Sequence, residues 1–226
     1  MDKRTKEAVR YLGYGNHAVD EDTLLLIEGS FQELEKAADK RIVYRIFDLF
    51  SDGGDEIRIG DLSVKSHSLS RNLKGCMQVI LLGATLGTRV DMLLRRYAVS
   101  EMARSVTLQA CAAAVLEEYL DEWQEEQKRR MEKKGLYLRP RFSPGYGDFS
   151  ILCQEPVLRM LDASRAIGLS MTDGYMLTPS KSVTALIGIS SEKMDCHRKG
   201  CEECGKKDCL YRRDGQRREI KGADRC

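Results

Sequence analysis

Residues 75–83, GCMQVILLG, form the stretch that decides the fold of this chain. The apolar run at residues 77–82 is short and has a glycine on each side, which is typical of a β-strand buried on both faces. Residues 57–59 (IRI) and 62–64 (LSV) alternate apolar and polar side chains, as strands with one buried face do. We therefore expect these three segments to lie in one sheet.

Helices are predicted on both sides of this stretch. Residues 4–12 are predicted to be helical, and Asp20 is placed to cap a second helix. Residues 101–134 contain neither proline nor glycine and are predicted to form the longest helix. Its apolar positions recur every three or four residues: Met102, Val106, Ala110, Ala113, Leu116, Leu120 and Trp123. Residues 41–50 fit either a strand or the end of a helix.

After Gly135 the pattern changes to loops and short elements. It predicts a strand at residues 136–138, a helix near residues 156–163 and a strand at residues 182–190. Helices and strands do not alternate regularly, as they would in βαβ units. The predicted fold class is therefore α+β, with a mainly antiparallel twisted sheet and long helices.

The chain is divided into three regions on these patterns. Residues 1–74 form an N-terminal helical and strand region of the main domain, residues 75–190 form its core, and residues 191–226 form a cysteine-rich basic tail. This tail is predicted to be a small knuckle of its own.

Composition argues against several classes of protein. Hydrophobic residues make up 42% of the 226 and charged residues 32%, and no apolar run approaches the ~20 residues that span a bilayer. The start lacks the apolar segment of a secretory signal, so we expect a cytoplasmic protein with reduced thiols. Residues 196–226 hold 10 Lys+Arg against 6 Asp+Glu, leaving 27 against 29 elsewhere. The body is therefore not a nucleic-acid surface.

The segment RPRFSPGYGD at residues 139–148 is the most unusual part of the main domain. Pro144 and Gly145 fit the two central positions of a type II turn, because proline fixes one φ and glycine accepts the positive φ that follows. We expect a rigid turn at the protein surface.

This turn would hold an arginine and an aromatic ring on its two sides. Arg141 offers a bidentate fork to a carboxylate, and Tyr146 offers a face to a heterocycle or a cation. Gly145 and Gly147 let a ligand approach the backbone closely. These residues indicate a pocket for a small zwitterionic or aromatic ligand, although a structural turn beside a surface arginine explains them equally well.

A resemblance to a known family narrows this choice. The motif Arg141-x-x-Pro144-Gly145-Tyr146, followed by Thr172-Asp173 and by MLTPSKSV at residues 176–183, resembles the activation domain of cobalamin-dependent methionine synthase. The LGATLG turn at residues 82–87 and the end of the long helix resemble the family more loosely. The resemblance covers about residues 75–190.

The resemblance implies a ligand and the residues that hold it. In that family the loop binds S-adenosylmethionine, so Arg141 is expected to hold the methionyl carboxylate. Tyr146 and the loop backbone of Pro144, Gly145 and Gly147 would contact the rest of the ligand. Ser182 would lie in a strand beside the pocket.

Two departures from the family are visible. Ala114 stands where the family has an acidic ligand contact on the long helix, with Glu117 and Glu118 nearby. The family's late tyrosine-containing loop is replaced by residues 191–195 and the cysteine tail. The family's fused cobalamin module is also absent, which indicates a free-standing subunit that docks on a separate enzyme.

The implied function is repair of a corrinoid cofactor. The subunit would support reductive methylation of cob(II)alamin in a cobalamin-dependent methionine synthase or another corrinoid protein. The electron would come from a flavodoxin-type donor or from a cluster in this chain. No catalytic side chain is nominated, because the protein would act by positioning the reacting groups.

A second site is predicted from the tail. Cys196, Cys201, Cys204 and Cys209 place four thiols within fourteen residues, which favours tetrahedral zinc or an iron–sulfur cluster. His197 could replace one ligand. The alternative function is therefore an iron–sulfur electron-transfer or metal-sensing accessory protein for a corrinoid enzyme.

The other cysteines are given no role in this site. Three of them, Cys76, Cys111 and Cys153, lie in apolar surroundings and are predicted to be inert core thiols.

Overall fold

The structure is a computed structural model that describes residues 1–14 and 17–193. The described helices are α1 (Lys3–Tyr11), α2 (Glu21–Ala37), α3 (His67–Asn72), α4 (Thr88–Ser100), α5 (Met102–Glu132), α6 (Gln154–Leu161) and α7 (Ala163–Ile167), with a 3₁₀ turn at Ile151–Cys153. The described strands are β1 (Arg41–Ser51), β2 (Glu56–Ile59), β3 (Leu62–Lys65), β4 (Gln78–Thr85), β5 (Tyr137–Leu138), β6 (Ser170–Met171), β7 (Leu177–Thr178) and β8 (Ser182–Ser190).

Six of these strands form one sheet in the order β3-β2-β1-β4-β8-β5, and all neighbouring pairs are antiparallel. Strands from before and after residue 75 thus share a single sheet. Strands β6 and β7 form a separate antiparallel pair. The α+β class with a mainly antiparallel sheet is confirmed, and the open choice for residues 41–50 is decided in favour of a strand.

The sheet separates two hydrophobic cores. Helices α1, α2, α4 and α5 contribute to the core on one face, where Ile80 and Leu82 of β4 are buried. Helices α3, α6 and α7 contribute to the core on the other face, which contains Val79 and Leu81. All four residues are fully inaccessible to solvent, so β4 is buried on both faces, as its sequence predicts.

Local sequence explains where several of the described helices begin. The Asp20 side chain accepts a hydrogen bond from the Thr23 amide at 2.8 Å and begins α2 as predicted. The long uninterrupted segment forms α5, whose charged last turns are exposed. Helix α4 was not assigned from the sequence, although Val90, Leu94 and Tyr97 recur at helical spacing and are buried.

The described helices are short or carry many charged side chains. None of them combines the length and the apolarity that a crossing would require.

Candidate ligand site

The predicted turn is present between β5 and the 3₁₀ turn. The Tyr146 amide donates to the Ser143 carbonyl at 3.2 Å, and Gly145 has φ +91°, as the third residue of a type II turn must. Pro144 is buried, whereas Gly145 and Tyr146 are exposed. The loop therefore presents its glycine and its aromatic ring to solvent.

Further backbone bonds close this loop on itself and join it to the sheet. The Gly145 amide donates to the Phe149 carbonyl at 2.7 Å, and the Phe149 amide donates to the Tyr146 carbonyl at 3.0 Å. Phe142 and Leu186 of β8 exchange amide-to-carbonyl bonds at 2.9 and 2.8 Å. The Phe142 and Phe149 rings stack with centroids 6.2 Å apart. The loop is therefore held in place by contacts of its own and by its pairing with β8.

Arg141 is directed toward α5 and is largely buried, with 17% of its side chain exposed. Its Nη1 donates to Gln124 Oε1 at 2.7 Å, and its Nη2 donates to Asp121 Oδ1 at 2.8 Å and to Glu117 Oε2 at 3.1 Å. Lys3 of α1 also approaches Asp121, at 3.5 Å. The surface arginine that the sequence allowed is thus a partly buried member of a charged cluster.

This cluster, formed by Arg141, Glu117, Asp121 and Gln124, is named the Arg141 cluster below. Its three α5 members are Glu117, Asp121 and Gln124. They are four and three residues apart, so their side chains lie on one face of the helix. Asp121 and Gln124 were missed by sequence reasoning, although their spacing from Glu117 was readable. Ala114 is 97% buried, with 3% exposure, and carries no charge.

The Arg141 cluster can receive a zwitterion. A ligand carboxylate can take the place of a protein carboxylate at the guanidinium fork, since both present the same pair of acceptor oxygens. The protein carboxylate released in this way can then accept hydrogen bonds from the ligand's ammonium group. The cluster therefore holds both of the charges that an α-amino acid needs.

Tyr146 lies on the solvent side of the loop, with 68% exposure. Two further apolar side chains that follow it, Ile151 and Leu152, are 40% and 55% exposed. The Cδ1 atom of Ile151 comes within 3.3 Å of the position that a Gly145 Cβ would occupy. An exposed ring beside apolar side chains suits a flat heterocycle.

Asp148 is a loop residue that the sequence analysis did not single out. Its carboxylate accepts hydrogen bonds from the Ser66 hydroxyl at 2.6 Å and from the amides of His67 and Ser68 at 2.7 and 3.0 Å. These bonds hold the pKa of the Asp148 carboxyl far below its usual value, and the bond from Ser66 has the largest effect. The loop is thereby attached to the first turn of α3.

Ser182 lies in another part of the fold. Its hydroxyl is hydrogen-bonded to the Pro179 carbonyl at 2.6 Å and to the Thr85 hydroxyl at 2.8 Å. It is four residues along β8 from Leu186, the partner of Phe142, which is about 13 Å at the rise of an extended strand. Arg141, Pro144, Gly145, Tyr146 and Gly147 thus lie in the loop, whereas Ser182 makes its hydrogen bonds at the start of β8.

The four cysteines predicted to bind metal, Cys196, Cys201, Cys204 and Cys209, lie outside the described residues. Within residues 1–14 and 17–193, no group of three or more His, Cys, Asp or Glu side chains could hold a metal ion. Cys111 is buried, and its burial raises the pKa of its thiol to about 12. Burial also raises the pKa of Cys153.

A pocket of about 280 Å³ lies between α1, α2 and α5. Its lining residues are Arg4, Leu34, Glu35, Ala38, Lys40 and Val115. None of them belongs to the ligand loop or to the Arg141 cluster. This pocket is therefore not the one that the loop motif predicts.

Comparisons with known proteins identify the fold. No family model matches the chain, and a search of curated proteins found no match. A similar solved structure is the crystal structure of the MetH reactivation domain bound to AdoHcy. It aligns with a TM-score of 0.59 at 16% sequence identity, over 80% of this chain and 69% of that one. The expected activation-domain-like fold is confirmed.

Proposed function

We propose that this chain binds S-adenosylmethionine at the Arg141 loop and supports reductive methylation of cob(II)alamin in a separate corrinoid enzyme. A cobalamin-dependent methionine synthase is the expected partner. The observation that carries the proposal is the Arg141 cluster beside a rigid Pro-Gly turn, in a fold that a reactivation domain bound to AdoHcy shares. AdoHcy is the demethylated form of the same ligand.

The ligand's amino acid end is assigned to the Arg141 cluster. Arg141 would take the methionyl carboxylate, and Asp121 and Glu117 would take the ammonium group. They would thereby replace the acidic contact that Ala114 cannot provide. Asp121 lies two turns of α5 after Ala114, and Glu117 lies one turn after it.

The rest of the ligand is assigned to the loop. Tyr146 offers an exposed ring for the adenine, and the exposed backbone of Gly145 allows close approach. The bound ligand would supply the methyl group, and the contribution of this chain is to hold and orient it. Ser182 keeps only an indirect place in the proposal, as a residue that fixes the start of β8 through Thr85.

Calorimetric titration with S-adenosylmethionine, AdoHcy and 5′-methylthioadenosine tests this assignment. The third compound keeps the nucleoside and lacks the amino acid. We expect Arg141→Ala and Asp121→Asn to weaken binding of the first two compounds by about 1.5–3 kcal/mol and to leave the third unchanged. Arg130→Ala is a matched control, since Arg130 also pairs with an α5 carboxylate, that of Glu126, at an exposed position.

The possible outcomes separate the alternatives. Binding of the two amino-acid-containing ligands that is lost in Arg141→Ala supports the proposal. No binding by the anaerobically purified wild type would refute the simple free-subunit site. Equal losses for all three ligands would place the nucleoside, and not the amino acid, at the Arg141 cluster.

We retain the four-cysteine metal site as part of the proposal, because four thiols at this spacing suit zinc or an iron–sulfur cluster. Iron, zinc and sulfide analysis of the anaerobically purified protein tests it, with Cys204→Ser as the variant. One zinc per chain would indicate a structural role, whereas iron with sulfide would supply an electron carrier. An iron–sulfur protein without affinity for S-adenosylmethionine would favour the electron-transfer alternative.

A further inference from the structure

The ligand loop lies along α3 and is bonded to that helix near both of its ends. At the beginning of the loop, Arg139 Nη2 donates to the Lys74 carbonyl at 3.0 Å, and Asn72 Nδ2 approaches the Pro140 carbonyl at 3.5 Å. At its end, Asp148 is bonded to the first turn of α3. The loop therefore spans the helix antiparallel to it.

The bonds at the Asp148 end are the strongest of this set. Both carboxylate oxygens are used, and the distances of 2.6–3.0 Å are those of charge-assisted hydrogen bonds. Ser66 is 1% exposed, and its hydroxyl oxygen also accepts from the Leu69 amide at 3.1 Å. The same serine therefore begins α3 and holds the loop.

Gly147 packs against the same helix turn. Its φ is +56°, and a Cβ there would lie 2.7 Å from the Ser68 hydroxyl and 3.0 Å from the Ser68 Cβ. Such distances leave no room for a side chain between the loop and α3. Two consecutive residues thus hold the loop on α3, Gly147 by close packing and Asp148 by hydrogen bonds.

The position of the Tyr146 side chain is set by the backbone of the turn. Its ring is 68% exposed, so its position depends on the backbone of the turn and not on packing of the side chain. Preorganised backbone reduces the conformational entropy that a ligand must remove on binding. A contact that holds residues 147–148 in place therefore also increases the affinity of residues 145–146 for the ligand.

We infer that Asp148 is a positioning residue, which fixes the turn at residues 143–146 for the ligand by fastening the loop to α3. Its link to ligand affinity rests on the proposed function, whereas its effect on the loop does not. Asp148 touches no ligand in this assignment. It makes the geometry of the loop depend on α3, a helix about 80 residues earlier in the chain.

Hydrogen exchange followed by mass spectrometry tests the effect on the loop without any ligand. We expect Asp148→Asn to speed exchange of the Gly145 and Phe149 amides by about tenfold or more, because their bonds close the turn that Asp148 fastens. Asp61→Asn, at an exposed aspartate between β2 and β3, is the matched control and should change nothing in this peptide. Titration with S-adenosylmethionine should give about tenfold weaker binding for Asp148→Asn alone.

A second variant tests the same attachment from the Gly147 side. Gly147→Ala should also weaken binding, since its methyl group meets Ser68. Adding Ser68→Gly removes that contact. The double variant should bind the ligand at least about threefold more tightly than Gly147→Ala alone, a rescue that general destabilisation would not give.

Each outcome decides the inference. Faster exchange confined to residues 143–149 supports it, even if the wild type binds no S-adenosylmethionine, which would refute only the proposed function. Unchanged exchange in Asp148→Asn would overturn it, as would equally faster exchange in β4 and β8. Faster exchange with unchanged affinity in a protein that binds the ligand would show that Asp148 has no positioning role.

Discussion

Arg141 Nη2 and Asp121 Oδ1 lie 2.8 Å apart, in an ion pair that joins the ligand loop to α5. The two side chains are 17% and 30% exposed, so the pair is only partly screened by solvent. Both residues are candidate ligand contacts, and each is the ion-pair partner of the other. When a zwitterionic ligand binds here, its carboxylate would replace Asp121 at Arg141, and its ammonium group would replace Arg141 at Asp121.

The first prediction concerns the stability of that pair. Asp121→Asn should lower the free energy of unfolding by about 0.5–1 kcal/mol, because Arg141 keeps Glu117 and Gln124 as partners. Urea denaturation with an unchanged slope would measure it. Glu125→Gln is the control, since the pair of Glu125 with Lys128 is long, at 3.8 Å, and half exposed. A loss above about 3 kcal/mol would contradict the exposure of the pair.

A second prediction concerns the turn. Gly145→Ala should destabilise the protein by about 1–2 kcal/mol, because alanine is strained at φ +91° and its methyl group approaches Ile151 at 3.3 Å. Gly174→Ala is the matched control in another exposed turn, where φ is not positive and the closest atom is 3.8 Å away. Thermal unfolding of both variants compares them directly. Equal melting temperatures would show that the turn relaxes at no cost.

The sequence predicted the sheet and the turn because both depend on local patterns. A short apolar run between glycines predicts a doubly buried strand, and the Pro-Gly pair predicts the type II turn.

Other features could not be predicted because they depend on contacts between distant segments. Arg141 meets residues 17 to 24 positions earlier, and Asp148 meets residues about 80 positions earlier. Nothing in the local sequence reports such contacts. Ser182 was assigned by resemblance alone, and its hydroxyl is bonded to the main chain of Pro179 and to Thr85.

A third prediction tests the central strand. Leu82→Ala removes a fully buried side chain from β4 and should cost about 2–5 kcal/mol of unfolding free energy, as large-to-small substitutions in cores do. Leu25→Ala is the same substitution at a position that is 65% exposed, and it should cost less than about 1 kcal/mol. Chemical denaturation measures both. Similar losses would contradict the burial of β4.

A fourth prediction concerns the reactivity of Cys111. Its thiol is fully buried and its pKa is raised to about 12, so very little thiolate is present near pH 8. Iodoacetamide should leave Cys111 unmodified in the native protein and label it after unfolding in urea. Peptide mass spectrometry reads this cysteine separately from those of residues 194–226. Rapid native labelling would show that the contact between α2 and α5 opens.

The last prediction follows from the ionisation of Asp148. Its hydrogen bonds from Ser66, His67 and Ser68 lower the pKa of the folded carboxyl, whereas the unfolded chain keeps a pKa of ~4. As the pH falls below ~4, the carboxyl takes up a proton in the unfolded chain but stays ionised in the folded one. The free energy of unfolding therefore falls as the pH falls toward the folded pKa. Asp148→Asn cannot titrate and lacks this contribution. Urea midpoints of the wild type and Asp148→Asn should therefore differ most above about pH 5 and converge as the pH approaches 2. Parallel curves over this range would mean that the bonds to α3 do not favour the ionised carboxylate.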